Sequence, residues 1–331
     1  MKQQILPAIE NMVLIKVIAH PHLDEMPAEA LTLRIQDFVN LGFVSKKYKR
    51  KIFVACLRTL KRNLKGKEGR LIRKLYLDLD FDKYAFKELS ASHSYKPLLA
   101  LNELVFFEAP DPEGLIGRLL YSKNKYLKEK ALEYIFKVYK GNVFEYFSQV
   151  TAPFTKWEHL HYFDIITNRK DGTLPEFSRW ITPPYNESLI LLCLDFTTYY
   201  RQHSAAPAII ELLQQSAIST ELKCKLISAL GQLYESEALP VLLDLYADEK
   251  NILVKGAILK ALSNISGNET LSFLKQSFKK EASPFLKKHA ARSILEIEGP
   301  EPVMDTLLEE ATDAEDINAL KHAMSPLIKY Y

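Results

Sequence analysis

Leu222-Lys-Cys-Lys-Leu-Ile-Ser-Ala-Leu-Gly-Gln-Leu233 decides how the rest of the chain is read. Its residues Leu222, Leu226, Leu230 and Leu233 fall at intervals of three and four, which places them on one face of an α-helix. The face returns 32 residues later at Val254, Ile258, Leu262 and Ile265, and 32 residues after that at Leu286, Ala290, Ile294 and Ile297. A second apolar set follows each: Leu239 with Leu242, Leu271 with Leu274, and Val303 with Leu307. A unit of two short helices cannot bury these faces alone and must stack on its neighbours. The pattern therefore predicts an all-α fold, an α-solenoid of stacked helix pairs.

Working outward, the same spacing recurs at Leu127, Ala131, Ile135 and Val138, with Phe144 following as Leu239 follows Leu233. Residues 207–213 stand in register with residues 240–246, and Asn186 is placed to cap a helix reaching Tyr200. Between 151 and 185 the register is lost. A helix over 155–167, a turn at 168–172 and a short helix over 175–181 make this an irregular insertion. Toward the N-terminus, helices are expected over 2–19 and 27–41, with Gly42 as a stop. A basic helix follows over 46–64 with Ser45 as its cap. Gly66 and Gly69 mark a turn, Asp80 caps a short helix to Leu89, and Ser94 caps one over 95–107. The expected organisation is an irregular N-terminal helical region over 1–90 and a repeat array over 91–331, read as one continuous solenoid. No stretch reads as a strand.

The net charge of +3 is small, but its distribution is uneven. Residues 46–74 hold thirteen Lys or Arg against one acid, Glu68, whereas residues 293–320 hold nine acids and no Lys or Arg. Lys46, Lys47, Lys49, Arg50 and Lys51 head the basic helix, and Arg58, Lys61, Arg62 and Lys65 continue along one side of it. Such a surface fits an anionic protein partner, an anionic membrane surface or nucleic-acid phosphates. A solvated face that keeps the chain soluble has the same composition. Tyr48 and Phe53 are the only aromatics nearby in sequence, too few for a platform that stacks bases. The acidic end reads as a solvated terminal cap, or as a dock for a basic partner or for the basic region of a second copy.

The three cysteines, Cys56, Cys193 and Cys224, lie apart in apolar helical stretches, which fits buried reduced thiols in the cytoplasm. The apolar run over 5–18 is interrupted by Glu10, Asn11 and Lys16 and is too short to span a bilayer. No GxSxG, GxxxxGK[ST] or GxGxxG motif is present. His159 and His161 diverge on a helix and cannot share a metal, and His20-Pro-His22 with Asp24 reads as a turn. No cofactor or metal is expected, and no catalytic residue stands out.

Ala229-Leu-Gly231 followed by Glu237-Ala-Leu-Pro240 resembles the bacterial HEAT repeat, of the short type also found in phycobilisome lyases. The match is good over 186–313 and weaker over 95–147. Leu174-Pro-Glu-Phe-Ser-Arg-Trp180 ahead of Asn186-Glu-Ser resembles bacterial HEAT proteins with a membrane anchor before a cytosolic solenoid, so this chain is expected to be a soluble relative or to begin after such an anchor. The resemblance implies a non-enzymatic interaction scaffold, without implying lyase activity. It also implies that Lys128, Lys223, Lys255 and Lys287, at one repeat position, form a structural ladder pairing with turn acids such as Asp248. Metal enzymes of this fold that resemble deoxyhypusine hydroxylase carry His-Glu dipeptides, which are absent here. A DNA glycosylase of HEAT-like repeats needs Trp, Asp and Arg converging. Trp157, Asp164, Arg169, Arg179 and Trp180 lie close in sequence, and Trp157, Trp180 and Arg179 make a candidate partner surface. Core packing is the competing role for both tryptophans.

Overall fold

The computed structural model describes residues 45–90, 95–169, 173–215, 217–265, 267–299, 303–311 and 313–325, with residues 11, 13, 36, 38–40 and 42–43. Among these residues there is helix and no strand. Two compact units emerge: residues 1–143 with 165–172, and residues 144–164 with 173–331. Most of the helices expected over 2–19 and 27–41, the Ser94 cap and residues 170–172 of the expected turn lie outside the described residues; residues 11, 13, 36 and 38–40 are helical.

The first unit contains α1 (Lys47–Asn63), α2 (Gly66–Asp78), α3 (Phe81–Leu89), α4 (Tyr95–Phe107), α5 (Leu115–Arg118) and α6 (Lys125–Val138). Each packs on the next or next but one: α1 on α2, α2 on α3, α3 on α4, and α4 on α6. Aromatic residues bind its core. Tyr76 stacks flat on Phe107 with ring centroids 4.0 Å apart, and Phe81 meets both Tyr76 and Phe53 edge-on. The basic helix is indeed amphipathic, burying Phe53, Cys56, Leu57 and Leu60.

Several local expectations are corrected here. The N-cap of α1 is Lys46, and no side chain, Ser45 included, caps it. Gly66, with φ of +67°, does mark the turn between α1 and α2, whereas Gly69 lies in the first turn of α2, where a Cβ would sit 2.8 Å from the Leu64 carbonyl oxygen. Asp80 is the N-cap of α3 in position only: its backbone is left-handed and its carboxylate pairs with Lys83 at 2.9 Å. Gly42, with φ of +74°, does close the preceding segment.

The second unit contains α7 (Lys156–Thr167, whose last turn counts with the first unit), α8 (Glu187–Tyr199), α9 (Ala206–Leu213), α10 (Thr220–Gln232), α11 (Leu239–Asp248), α12 (Ile252–Leu262), α13 (Asn268–Lys280), α14 (Pro284–Glu298), α15 (Val303–Glu310) and α16 (Ala314–Met324). The first helices of successive repeats, α8, α10, α12, α14 and α16, pack directly on one another. Each second helix leans on the first helix that follows it, as α13 does on α14. Of the twelve repeat positions read from sequence, all but Ile297 are buried.

Caps keep the repeats in step. Asn186, Ser219 and Asn251, spaced like the repeat, each accept a backbone N–H at the start of α8, α10 and α12. At the other end of α8 and α10, Arg201 and Tyr234 adopt left-handed backbone, and the next amide reaches back to Thr197 and Leu230. These are Schellman closures made without glycine. The segment between 151 and 185 is irregular in backbone but not peripheral. Phe177 and Trp180 from its 3₁₀ turn are buried, and Phe177 stacks on Phe196 of α8 at 5.0 Å. Gln202 holds this turn by donating to the Pro175 carbonyl at 2.7 Å and accepting from the Phe177 amide at 2.9 Å.

The closest approach of first helices lies at Gly231 of α10. A Cβ there would stand 2.8 Å from the Cα and 2.9 Å from the Cβ of Ala261 in α12. Backbone atoms cannot step aside as a side chain can. Gly231→Ala is expected to cost about 1–3 kcal/mol and to lower the melting temperature of the second unit. Gln232→Ala, the next residue and exposed, is expected to change stability by less than about 0.5 kcal/mol. Thermal melts of both variants check this; equal melting temperatures would contradict the close approach.

Candidate functional site

The basic helix α1 does not act as an isolated stripe. Its outer face joins α3 and α4 to form a groove of about 330 Å³. The floor is apolar and low: Val54 and Ala55 from α1, Phe81 and Ala85 from α3, and Leu99 and Ala100 from α4. Five cations line it, Lys47, Arg50, Lys51 and Arg58 from α1 and Lys96 from α4, against two carboxylates, Glu88 and Glu103. Tyr84, Tyr95 and Leu99 stand on its walls, the last two about 60% exposed.

Two cations are braced across the groove. The Arg50 guanidinium lies 3.6 Å from the centroid of the Tyr84 ring, a cation–π contact that also holds the ring in place. Lys47 pairs with Glu88 at 3.2 Å, which keeps that carboxyl below its ordinary range. Glu103 differs. Burial pushes its carboxyl above the usual carboxylate range, and Tyr76 donates a hydrogen bond to it at 2.9 Å.

The remaining basic residues divide. Lys61, half-buried, donates to the Phe106 carbonyl at 2.7 Å and to Glu108 Oε1 at 2.9 Å. Arg73 of α2 donates to the Glu108 carbonyl through both Nε and Nη2. These two cations satisfy the carbonyls at the C-terminal end of α4, where the helix leaves acceptors open and carries partial negative charge. Lys61 is therefore a structural residue of this end rather than part of the groove. Burial alone would raise the Glu108 carboxyl; Lys61 outweighs it and holds the group below the ordinary range. Arg62 and Lys65 are exposed at the end of α1, and Lys46 is exposed ahead of it. Lys49 lies 5.8 Å from the Phe43 ring.

In the second unit the lysine positions are tied repeat to repeat. Lys223 pairs with Glu249 at 3.1 Å, Lys255 with Glu281 at 3.4 Å, and Lys287 with Asp316. The acid is thus Glu249, in the turn, and not Asp248, which is the last helical residue and points to solvent. Lys128 makes no such pair among the described residues; position 154, the same 26 residues onward, holds a phenylalanine.

The two tryptophans separate. Trp180 is core, 3% exposed, with its indole N–H donating to Ser148 Oγ at 3.2 Å. Arg179 lies against its ring, 5.3 Å from the centroid. Trp157, by contrast, is 76% exposed, and Leu160 one turn on is 62% exposed. Arg169 donates to the carbonyls of Phe136 and Tyr139. With Trp180 buried and Arg169 engaged by backbone, the residues proposed for base recognition do not form a pocket for a base. Of the candidate surface residues, Trp157 and Arg179 are exposed and Trp180 is not; Leu160 adds to the surface beside Trp157.

Near them lies a cleft of about 620 Å³ between α7, α8 and α10. Its centre is Asp195. His159 Nε2 lies 2.6 Å from Asp195 Oδ2, and Lys225 pairs with the other oxygen. Cys224 and Ser228 line the wall. Cys224 is only half-buried, unlike Cys56 and Cys193, and burial pushes its thiol up, away from the reactive thiolate. Among the described residues no three His, Cys, Asp or Glu side chains converge as a metal site.

The stacked helix pairs of α9 to α14 coincide with a recognised family pattern. A family model described as HEAT repeats matches residues 201–295. This segment is similar to HEAT repeats. The residues that resembled such repeats in the sequence, 229–231 and 237–240, fall inside it. Among curated proteins none matches the chain in sequence. A crystal structure of an engineered protein aligns over 98% of this chain and 95% of that one, at 15% identity and a TM-score of 0.33. A likeness at that score decides nothing about this chain.

Asp195 provides a test of the second unit's electrostatics. Burial raises its carboxyl, but the bonds from His159 and Lys225 prevail and hold it below the ordinary value. The group is therefore more acidic folded than unfolded. Its contribution to stability is complete above the unfolded value, about 3.9, and is lost as pH falls through the folded value. The urea midpoint of the second unit is expected to fall as pH drops below about 4. In Asp195→Asn the fall should be shallower, from a lower starting point. Parallel slopes in the two proteins would remove Asp195 from the account.

Proposed function

We propose that this chain is a non-enzymatic protein-interaction scaffold that receives an anionic protein partner in the groove of its first unit. One observation carries the reading: five cations surround a shallow apolar floor with two carboxylates among them. HEAT repeats in the second unit support a scaffold, since such arrays present extended surfaces to partners. Charge complementarity of this kind guides encounter and orientation, and the apolar floor holds the complex.

A concave floor favours a protein over a bilayer, which is met by an outward apolar face. Among the described residues no helix is long and apolar enough to cross a membrane. We place the chain in the bacterial cytoplasm, with a membrane-associated complex as one setting for its partner. The nucleic-acid reading has less support, because of the three aromatic residues at the groove Phe81 is buried and Tyr84 is already covered by Arg50.

Site-specific photo-cross-linking in cells tests this. A benzophenone side chain at Leu99 is expected to trap a protein, and the combined changes Lys51→Glu and Arg58→Glu are expected to abolish the adduct while helical content is unchanged. Absence of any protein adduct, with tight salt-sensitive binding to duplex DNA or phosphatidylglycerol vesicles instead, would overturn the proposal.

A further inference from the structure

The lining of the groove has a period. From α1 it takes Lys47, Arg50 with Lys51, Val54 with Ala55, and Arg58; from α4 it takes Tyr95 with Lys96, Leu99 with Ala100, and Glu103. Both sets recur every three to four residues, once per helical turn. The α1 set spans eleven residue steps, roughly 16 Å at the rise of an α-helix. The groove is thus about three turns long along α1, lined from both helices by side chains at helical spacing.

Three residues of the floor are alanines. Ala55, Ala85 and Ala100 come from three different helices and bring only a methyl group each to the groove. Small residues at facing positions let another backbone approach closely and let its side chains settle between ridges. The aromatic walls, Tyr84 and Tyr95, supply flat apolar surface with a polar edge. The cations are concentrated on α1, so they flank the floor along one side for its whole length.

An extended strand would find no sheet edge, since the first unit has no strand among its described residues. A helix finds ridges at its own period. We propose that the groove binds an acidic amphipathic helix of about three turns, with an apolar stripe on the alanine floor and carboxylates facing Lys51, Arg58 and Lys96. This is the helix-in-groove mode of recognition, read through anchors at positions i, i+3, i+4 and i+7. It rests on the groove being the partner site, and adds the shape and chemistry of what enters.

The test uses the full chain and three fluorescein-labelled 18-residue probes. One carries Leu at i, i+3, i+4, i+7, i+8 and i+11 with Glu and Ala elsewhere. The second has the same composition scrambled to destroy the stripe. The third is poly-Glu. Fluorescence anisotropy is expected to show the amphipathic probe binding at least about tenfold more tightly than either control, a gap well within what buried anchors provide. Leu99→Gln and Ala55→Trp change exposed residues of the floor without changing its charge, so the fold is expected to survive both; each should weaken the amphipathic probe about tenfold and leave poly-Glu unchanged. Equal affinity for the amphipathic and scrambled probes would overturn the inference, as would indifference to both substitutions, since either shows a surface that reads charge alone. Failure to bind the amphipathic probe would overturn it as well. In each case a charge-dependent protein adduct at Leu99 in cells would leave the scaffold proposal standing.

Discussion

Everything in the second unit depends on how closely one first helix can approach the next. Gly231 against Ala261 marks that distance for α10 and α12, with only the methyl of Ala261 as side chain at the point of contact. Close approach brings Leu226, Leu230, Ile258 and Leu262 into one buried layer. It also carries the caps of neighbouring repeats within reach of each other. Ser219 donates to Glu187 and Asn251 donates to Thr220, so the start of each first helix is fastened to the one before it. Apolar contact sets the spacing, and short polar bonds set the register.

The first unit reaches its form by a different route. It has fewer regular repeats, and its charged residues serve two purposes that look identical in a list. Lys61 and Arg73 close the end of α4, where open carbonyls need donors. Lys51 and Arg58 face the groove. What separates them is the neighbour each helix brings: on one side of α1 the terminus of α4, on the other side its flank and α3.

The sequence showed the period of the array plainly, because burial of an apolar face every three or four residues leaves its mark on residue type. Caps at Asn186 and the helix over 95–107 were legible for the same reason: the side chain that does the work is of the expected kind. Closures at Arg201 and Tyr234 were not, since these residues take left-handed backbone because the surrounding helices hold them there, and nothing in their identity signals it. The candidate site was legible by half. The cations of α1 announced themselves as a run, whereas Tyr84, Tyr95 and Leu99 are ordinary exposed residues until folding places them beside Arg50. Trp157 and Trp180 show the limit from the other side. The same residue type, 23 positions apart, is surface in one case and core in the other, and the deciding feature is the 3₁₀ turn that Gln202 pins to α8.

The lysine pairs have a direction. Lys223, Lys255 and Lys287 each reach forward, to an acid that belongs to the turn or helix start of the following repeat. A repeat is therefore complete only with its successor, and the last rung is closed by the first turn of α16. Such an array has a grammar of length. Duplicating or removing a whole repeat keeps each lysine matched to an acid and each cap beside its neighbour, whereas a change of length inside a repeat must still bring an acid to the half-buried ammonium, as Asp316 does for Lys287. Growth of the array during evolution is thereby channelled into whole units, independent of what the surface of any one unit recognises.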